Sequence, residues 1–363
     1  MVLAISSYQG LRGLADQQNL LNLAWIIDER PYLAADLPGI IKRELAAEIR
    51  EELPYLDNYS IQDGYGEQAL NSPVASFFRQ DDWLCRVTCA AGVNSLLYAL
   101  AHFSADGPAY VIGDVYPDFP HWVERFGGRC LSRYSASMAA RHIDCIRAVG
   151  AAVVLLERPA VAGNQLSLRE LGELCDAVGD TVVVVDESYA NYCPPEFSAA
   201  TIAAAAPNMV VLRGLSKAYW LGGLRFGYCI ASAALTERLR AFLPPLLASS
   251  LSIRLAKAIL ELGDIAQPLR ARIRSAKAEM VEILGTAVPD IQENGDLPYV
   301  LSARGETQRL LEQQGVIGKR QPFWTEACLS VTCKYRLSVP LDAERMRNLR
   351  HRVRGVVPRA GEE

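Results

Sequence analysis

Two short stretches restrict the fold of this chain more than any other feature: AAVVLLE (Ala151–Glu157) and TVVVVDE (Thr181–Glu187). Each is an unbroken apolar run that ends in acid. A strand with one face in water alternates apolar and polar side chains, so a continuous run is the pattern of a strand covered on both faces. Between the two, SLRELGELCDAVG places leucines at helical spacing. A strand, a helix and a second strand make a crossover unit, and such units build parallel sheets with helices packed on them. AYVIGD (Ala109–Asp114), NMVVLRG (Asn208–Gly214) and FGYCIAS (Phe226–Ser232) continue the pattern as further strands. The expected fold class is α/β: a large domain with a mainly parallel sheet flanked by helices, plus a smaller α+β domain.

The texture changes after Leu235. A helix is predicted through TERLRAFL, Pro244 and Pro245 interrupt it, and a long helical stretch follows from about Ser252 to Leu284. Proline removes a hydrogen bond and clashes with the preceding turn, so a domain crossing belongs here. LPYVLSA and YRLSVP are strand candidates around the helix TQRLLEQQG. At 363 residues the chain is long enough for a large domain at 40–250 and a small one from 1–39 and 251–363.

Ligands of parallel sheets sit at the carboxyl ends of the strands, which directs attention to LRGLSKAYWLGGLRFGY (Leu212–Tyr228). Lysine is seldom buried without a partner. In a dry pocket its amine loses its proton and attacks carbonyls, which makes Lys217 a candidate nucleophile. Arg225 can fork to two phosphate oxygens, Ser216 offers a hydroxyl, and Gly222 and Gly223 leave room for close backbone approach. TCAAGVNSLLYALAHF (Thr88–Phe103) is a glycine-bearing turn running into a helix. Its N–H groups at Val93, Asn94 and Ser95 would face a phosphate, although the stretch taken alone also reads as an ordinary capped helix. Tyr116 in DVYPDF is placed to stack on a planar ring, or simply to half-bury itself in a loop. Asp186 closes a buried strand and needs a cationic or hydrogen-bonding partner. A protonated heterocyclic nitrogen would serve, with Tyr189 in reach of the same ligand; the alternative is an aspartate capping the next turn. The cofactor that needs all of these groups together is pyridoxal phosphate.

These motifs carry a resemblance to a family. SKAYWLGGLRFGY, VVVDESY and DVYPDF, with AGVNSLLYAL, YRLSVP and DNYSIQDGYGEQAL around them, resemble the fold-type I pyridoxal-phosphate enzymes of the class I/II aminotransferase family, in particular its histidinol-phosphate aminotransferase branch. The resemblance implies an aspartate-aminotransferase-like fold and a Schiff-base lysine at Lys217. It implies cofactor contacts from Val93, Asn94, Tyr116, Asp186, Tyr189, Ser216 and Arg225. Tyr59 would reach the cofactor phosphate of a neighbouring subunit, and Arg336 would hold the substrate carboxylate. Amino transfer from an L-amino acid, a role in amino-acid biosynthesis and a homodimer with shared sites are implied with them.

Three departures stand out. LLERPAVAGNQLS replaces the family's Asn-Pro-x-Asn-Pro-x-Gly, putting Arg158 or Ala160 where an asparagine meets the ring hydroxyl. That oxygen is then left to Tyr189 or to a cation from Arg158. Gly214 stands where a hydroxyl is usual, and IIDERPY (Ile26–Tyr32) replaces an Asn-Glu-Asn-Pro segment. The departures keep open a non-transaminating outcome such as cyclisation, elimination or decarboxylation, as in capreomycidine synthase, and a binding role on a decayed enzyme fold. Asp28 and Glu29 read as solvated surface, or as partners for a basic substrate side chain.

Other classes find no support. A net charge of -4 gives no reason to expect nucleic acid or an anionic membrane. No run approaches the roughly 18 apolar residues of a membrane span. The nine cysteines form no Cys-x-x-Cys pair and the four histidines lack zinc-finger spacing, so no metal and reduced thiols are expected. The opening MVLAISSYQGLRGLADQ lacks the features of an export signal, and the expected location is the cytoplasm. GGLRFG is not a dinucleotide fingerprint, and it precedes a strand instead of following one.

Overall fold

The structure, a computed structural model, describes residues 20–354 apart from 26–28, 52–58, 81–82, 114, 134–138, 162–164, 286–287, 289, 294 and 325–330. Strands β1 (Arg86–Ala90), β2 (Ala109–Ile112), β3 (Cys130–Arg133), β4 (Val153–Glu157), β5 (Val182–Asp186), β6 (Met209–Gly214) and β7 (Gly227–Ala231) form one seven-stranded sheet. Its order is β1-β7-β6-β5-β4-β2-β3. Strands β2 to β6 pair in parallel, while β7 runs antiparallel to both β6 and β1. The reversal has a local cause. A parallel partner needs a crossover, usually helical, and residues 215–226 between β6 and β7 hold only a 3₁₀ turn at Gly222–Leu224.

Strand β5 shows why the apolar runs determine the fold. Val183 and Val185 belong to the apolar cluster on one face of the sheet, and Val182 and Val184 to the cluster on the other. All four are 0% exposed, and each burial contributes about 1.5–3 kcal/mol. The helix Leu168–Val178 that follows β4 opens on a capping box: Ser167 accepts from the Glu170 N–H, and Glu170 accepts from the Ser167 N–H at 2.8 Å.

A second sheet, wholly antiparallel, contains β8 (Gln292–Glu293), β9 (Tyr299–Ser302), β10 (Lys319–Trp324) and β11 (Val331–Ser338) in the order β10-β11-β9-β8. A two-residue parallel pairing of Leu21–Asn22 with Val316–Ile317 ties the N-terminal segment to this region. The predicted long helix from Ser252 to Leu284 is two helices, Ser250–Leu260 and Gln267–Gly285. Gly263 (φ +69°) ends the first in the left-handed conformation, and the Asp264 carboxylate accepts from the Ala266 N–H before the second begins. The helix read through TERLRAFL stops at Arg240. Among the described residues no helix is long and apolar enough to cross a membrane.

Candidate active site

The carboxyl ends of β1, β2, β4, β5 and β6 share one edge of the large sheet with the first residue of β7. At β1, Gly92 (φ +88°) turns the chain into the helix Val93–Ala101. The start of that helix rests on the paired glycines Gly214 and Gly227. A Cβ on Gly227 would come within 2.4 Å of the Val93 nitrogen, and one on Gly214 within 3.3 Å of Val93 Cγ2. Glycine at Gly227 is thus a packing requirement, and the missing hydroxyl at Gly214 leaves room for Val93.

Arg225 (φ +53°) folds its guanidinium back over the same turn, donating to the Ala91 carbonyl at 3.2 Å and the Gly222 carbonyl at 3.1 Å. Asn94 Nδ2 donates to Tyr116 Oη at 3.1 Å. Val93, Asn94, Tyr116 and Arg225 are therefore gathered at a helix N-terminus, where amide dipoles and a guanidinium together favour an anion. Ser95 does not join them: its N–H donates to the Gly92 carbonyl at 3.2 Å and its hydroxyl to the Ala91 carbonyl at 3.3 Å. Gly222 and Gly223 have room around them, and the tight glycine packing lies at Gly92 and Gly227. Cβ atoms at Gly222 and Gly223 would meet ordinary contacts at 3.9 Å or nothing within 4 Å, whereas one on Gly92 would lie 2.7 Å from Arg225 Nη2.

Asp186, the last residue of β5, is 4% exposed and accepts from the Ser188 N–H at 2.9 Å and the Ser188 hydroxyl at 2.6 Å. Burial raises its pKa, and the Ser188 hydrogen bonds and the Lys217 charge only partly offset this. A carboxylate in that state gains from a cationic ligand. Lys217 lies in the bend after β6, half-buried like Ser216, with Nζ 5.2 Å from the centre of the Tyr189 ring. The amine is not sealed in the core. Burial pushes the Tyr189 phenol up, but the cations of Lys217 and Arg336 outweigh it and leave the group more acidic than an ordinary tyrosine.

The small sheet supplies the opposite wall. Arg336 on β11 is 5% exposed, and its guanidinium lies 4.2 Å over the ring of Tyr299 on β9. Tyr299 meets Tyr189 edge to face, with ring centres 5.8 Å apart. Lys319 on β10 pairs directly across from Arg336. Sequence reasoning passed over Lys319, Tyr299 and Glu157. Glu157 carried a signal, because it closes β4 as Asp186 closes β5, and the two are register partners. Glu29 is not solvated surface: it is 0% exposed, and Tyr192 Oη lies 2.9 and 2.8 Å from its two carboxylate oxygens. Asp28 lies outside the described residues. Tyr59 is 81% exposed and stands apart from the cluster.

Of the two residues that could stand at the position of the absent asparagine, Ala160 is buried and Arg158 is engaged in contacts of its own. Its backbone N–H donates to the Asp186 carbonyl at 2.9 Å and its Nε to the Leu166 carbonyl at 3.1 Å; the Arg158–Pro159 bond that follows is cis. The guanidinium lies 3.8 Å over the Phe197 ring, hydrogen-bonds the Phe197 carbonyl and approaches Glu187 to 3.9 Å. The Arg158 guanidinium is thus already engaged by Leu166, Phe197 and Glu187. Glu187 also receives Arg213 Nη1 at 2.8 Å, the Ala199 N–H at 2.6 Å and the Ser198 hydroxyl. Arg213 continues to Asn191, whose amide donates to the Gly214 carbonyl at 2.9 Å, so the network braces the last residue before the lysine bend.

The family model for class I and II aminotransferases matches residues 37–353. The chain belongs to that family. An aromatic amino acid aminotransferase of Rhodococcus erythropolis is 34% identical over 175 residues, 44% of this chain and 47% of the relative, so this alignment spans about half that protein's length. Histidinol-phosphate aminotransferase 3 of Burkholderia lata is 29% identical over 271 residues, 70% of this chain and 69% of the relative. In fold, the chain is similar to the histidinol-phosphate aminotransferase of Sinorhizobium meliloti in complex with pyridoxal-5'-phosphate, with a TM-score of 0.73 at 16% identity over 96% and 94% of the two chains.

Pyridoxal phosphate, the cofactor of this aminotransferase family, fits the residues gathered at these strand ends. Asp186 is a buried carboxylate that a ring cation would stabilise, the turn at Gly92 with Arg225 is a corner that favours an anion, and Lys217 would offer an amine over Tyr189.

Proposed function

We propose that this protein is a pyridoxal-phosphate-dependent aminotransferase that moves the amino group of an L-amino acid to a keto acid, with Lys217 as its catalytic residue. The supporting observation is that Lys217, from the bend after β6, and Arg336, from β11, lie over the adjoining rings of Tyr189 and Tyr299. Asp186 would meet the ring nitrogen, Tyr189 the ring hydroxyl and Tyr116 the ring face. Val93, Asn94, Ser216 and Arg225 would hold the phosphate. The cofactor, when bound, supplies an electron sink that makes the substrate Cα–H acidic. Lys217 Nζ takes that proton and returns it, so it must stay accessible, which its half-burial allows. Arg336 forks to the α-carboxylate and fixes which bond at Cα is broken. A panel of L-amino acids tests the reading: a keto acid must appear while the cofactor is left as its amine. Retention of the amino group on every product would overturn it.

Asp186→Asn should weaken cofactor binding and lower kcat by about 100-fold, because a neutral amide cannot hold a protonated ring nitrogen in a buried site. Cofactor titration by absorbance and single-donor kinetics check both effects.

The same reading makes the protein a cytoplasmic homodimer with a large domain at 40–250 and a small one from 1–39 and 251–363. The seven-stranded sheet lies wholly inside the first range and the four-stranded sheet outside it. Tyr59 and Ile61, 81% and 79% exposed, are followed by a turn whose Gly64 carbonyl accepts from the N–H of Leu246, itself exposed. Such an apolar patch suits a second copy. Light scattering should give twice the chain mass, and Tyr59→Phe should weaken cofactor affinity by about 10-fold through one lost phosphate hydrogen bond. A fully active monomer would refute the shared site.

A further inference from the structure

Tyr299 is assigned no part in the chemistry above, yet it is packed against Tyr189. It lies on β9 two residues before Leu301, the register partner of Arg336, so Tyr299 and Arg336 share one face of the small sheet. The Arg336 guanidinium covers the Tyr299 ring at 4.2 Å, and that ring meets Tyr189 edge to face with centres 5.8 Å apart. Tyr299 is 2% exposed, and its hydroxyl donates to the Tyr189 oxygen. A phenol has one proton to give and two lone pairs to fill. We infer that Tyr299 is a positioning residue for this site: by donating to Tyr189 from behind, it turns the Tyr189 proton toward the ring hydroxyl and strengthens the hydrogen bond made there. The inference rests on the assignment of Tyr189 to that hydroxyl.

The surroundings set the direction of this two-phenol relay. Tyr192 stacks on Tyr189 with ring centres 6.3 Å apart and planes 24° apart, and its own hydroxyl is committed to Glu29. It therefore does not compete for the Tyr189 oxygen. Burial first, then the charges of Tyr189 and Glu29, hold the Tyr299 phenol well above an ordinary tyrosine against the cation of Arg336. Tyr299 thus keeps the proton that it donates. Tyr189 responds in the opposite sense. Burial and the Glu157 charge raise it, but Lys217, Arg336 and the hydrogen bond from Tyr299 together outweigh them. The groups facing Tyr189 are then Lys217 from the bend after β6, Arg336 from β11, Glu157 from the end of β4 and Tyr299 from β9, with Tyr192 stacked on its ring. A more acidic donor makes a stronger hydrogen bond, and successive bonds in such a chain strengthen one another by about 10–30%.

Tyr299→Phe removes one hydroxyl and keeps the ring that lies under Arg336. Two readouts test it without turnover. The first uses the full chain without cofactor. The phenolate absorbance of the wild type minus that of Tyr189→Phe isolates the Tyr189 titration, which should lie below the ordinary tyrosine value of about 10. The same difference taken in a Tyr299→Phe background should lie higher, because a bond that lowers Tyr189 has gone. The second uses the holoprotein, whose absorbance reports the pH at which the linkage of Lys217 to the cofactor loses its proton. A donor to the ring oxygen draws charge from the atom that would otherwise hold that proton, so losing the donor raises this pH. Tyr189→Phe should raise it by about 1–2 pH units, the effect of one hydrogen bond to a charged oxygen. Tyr299→Phe should raise it by a few tenths, about 10–30% of that change. A Tyr189 titration that ignores Tyr299→Phe, or a holoprotein midpoint that moves in Tyr189→Phe alone, overturns the relay. If the midpoint ignores Tyr189→Phe as well, the assignment of Tyr189 to the ring hydroxyl is what fails, and the cofactor-free titration still judges the bond from Tyr299 by itself.

Discussion

Lys217→Ala should lower kcat by about 10⁴-fold or more and abolish covalent attachment of the cofactor. In the proposed function one amine has two tasks, holding the cofactor aldehyde and carrying the Cα proton. Proton transfer alone is worth about 10²–10⁴-fold, and the lost covalent step adds to it. Arginine cannot substitute, since its guanidinium keeps its proton at any working pH. Borohydride reduction followed by peptide mapping provides the sharper measurement. The pyridoxyl label should sit on Lys217 in the wild type and vanish in the variant. Lys319 is the competitor to watch, because burial and the charges of Arg336 and Lys217 push its amine down to about 7. Geometry separates the two. Lys217 leaves the strand adjacent to Asp186 and lies over Tyr189, whereas Lys319 comes from the small sheet opposite Arg336. A label on Lys319, or on no residue, would remove the foundation of the assigned mechanism.

The parts of this protein that were legible in its sequence are those encoded locally. The valines of β5 announce a strand buried on both faces, and the structure divides them between two apolar clusters. The placement of Lys217, Asp186 and Arg225 near strand ends could be read because each follows or precedes an apolar run by a few residues. What stayed hidden depends on pairing between distant segments. Lys319 matters only because a hairpin sets it against Arg336, and no motif states that register. Glu29 looked like surface because nothing in IIDERPY reveals that Tyr192 closes over it. The need for glycine at Gly227 stayed hidden because it is set by the helix that rests on β6 and β7.

Glu187→Ala should destabilise the protein by about 3–5 kcal/mol, the cost typical of removing one partner from a buried ion pair. Glu187 is 1% exposed, and its carboxylate serves Arg213, Ser198 and the Ala199 N–H, with Arg158 at 3.9 Å. Truncation leaves the Arg213 guanidinium, 2% exposed, without its ionic partner in the core. Replacing both residues with apolar ones of similar volume should cost less than the single change, because no buried charge is then left uncompensated. Urea denaturation of the two single variants and the double variant measures this coupling directly. The damage should also reach the active site, since the network continues from Arg213 through Asn191 to the Gly214 carbonyl, three residues before Lys217. Glu187→Ala should therefore lower kcat even where the protein remains folded. A variant with an unchanged denaturation midpoint and full turnover would show that the brace under the lysine bend is dispensable.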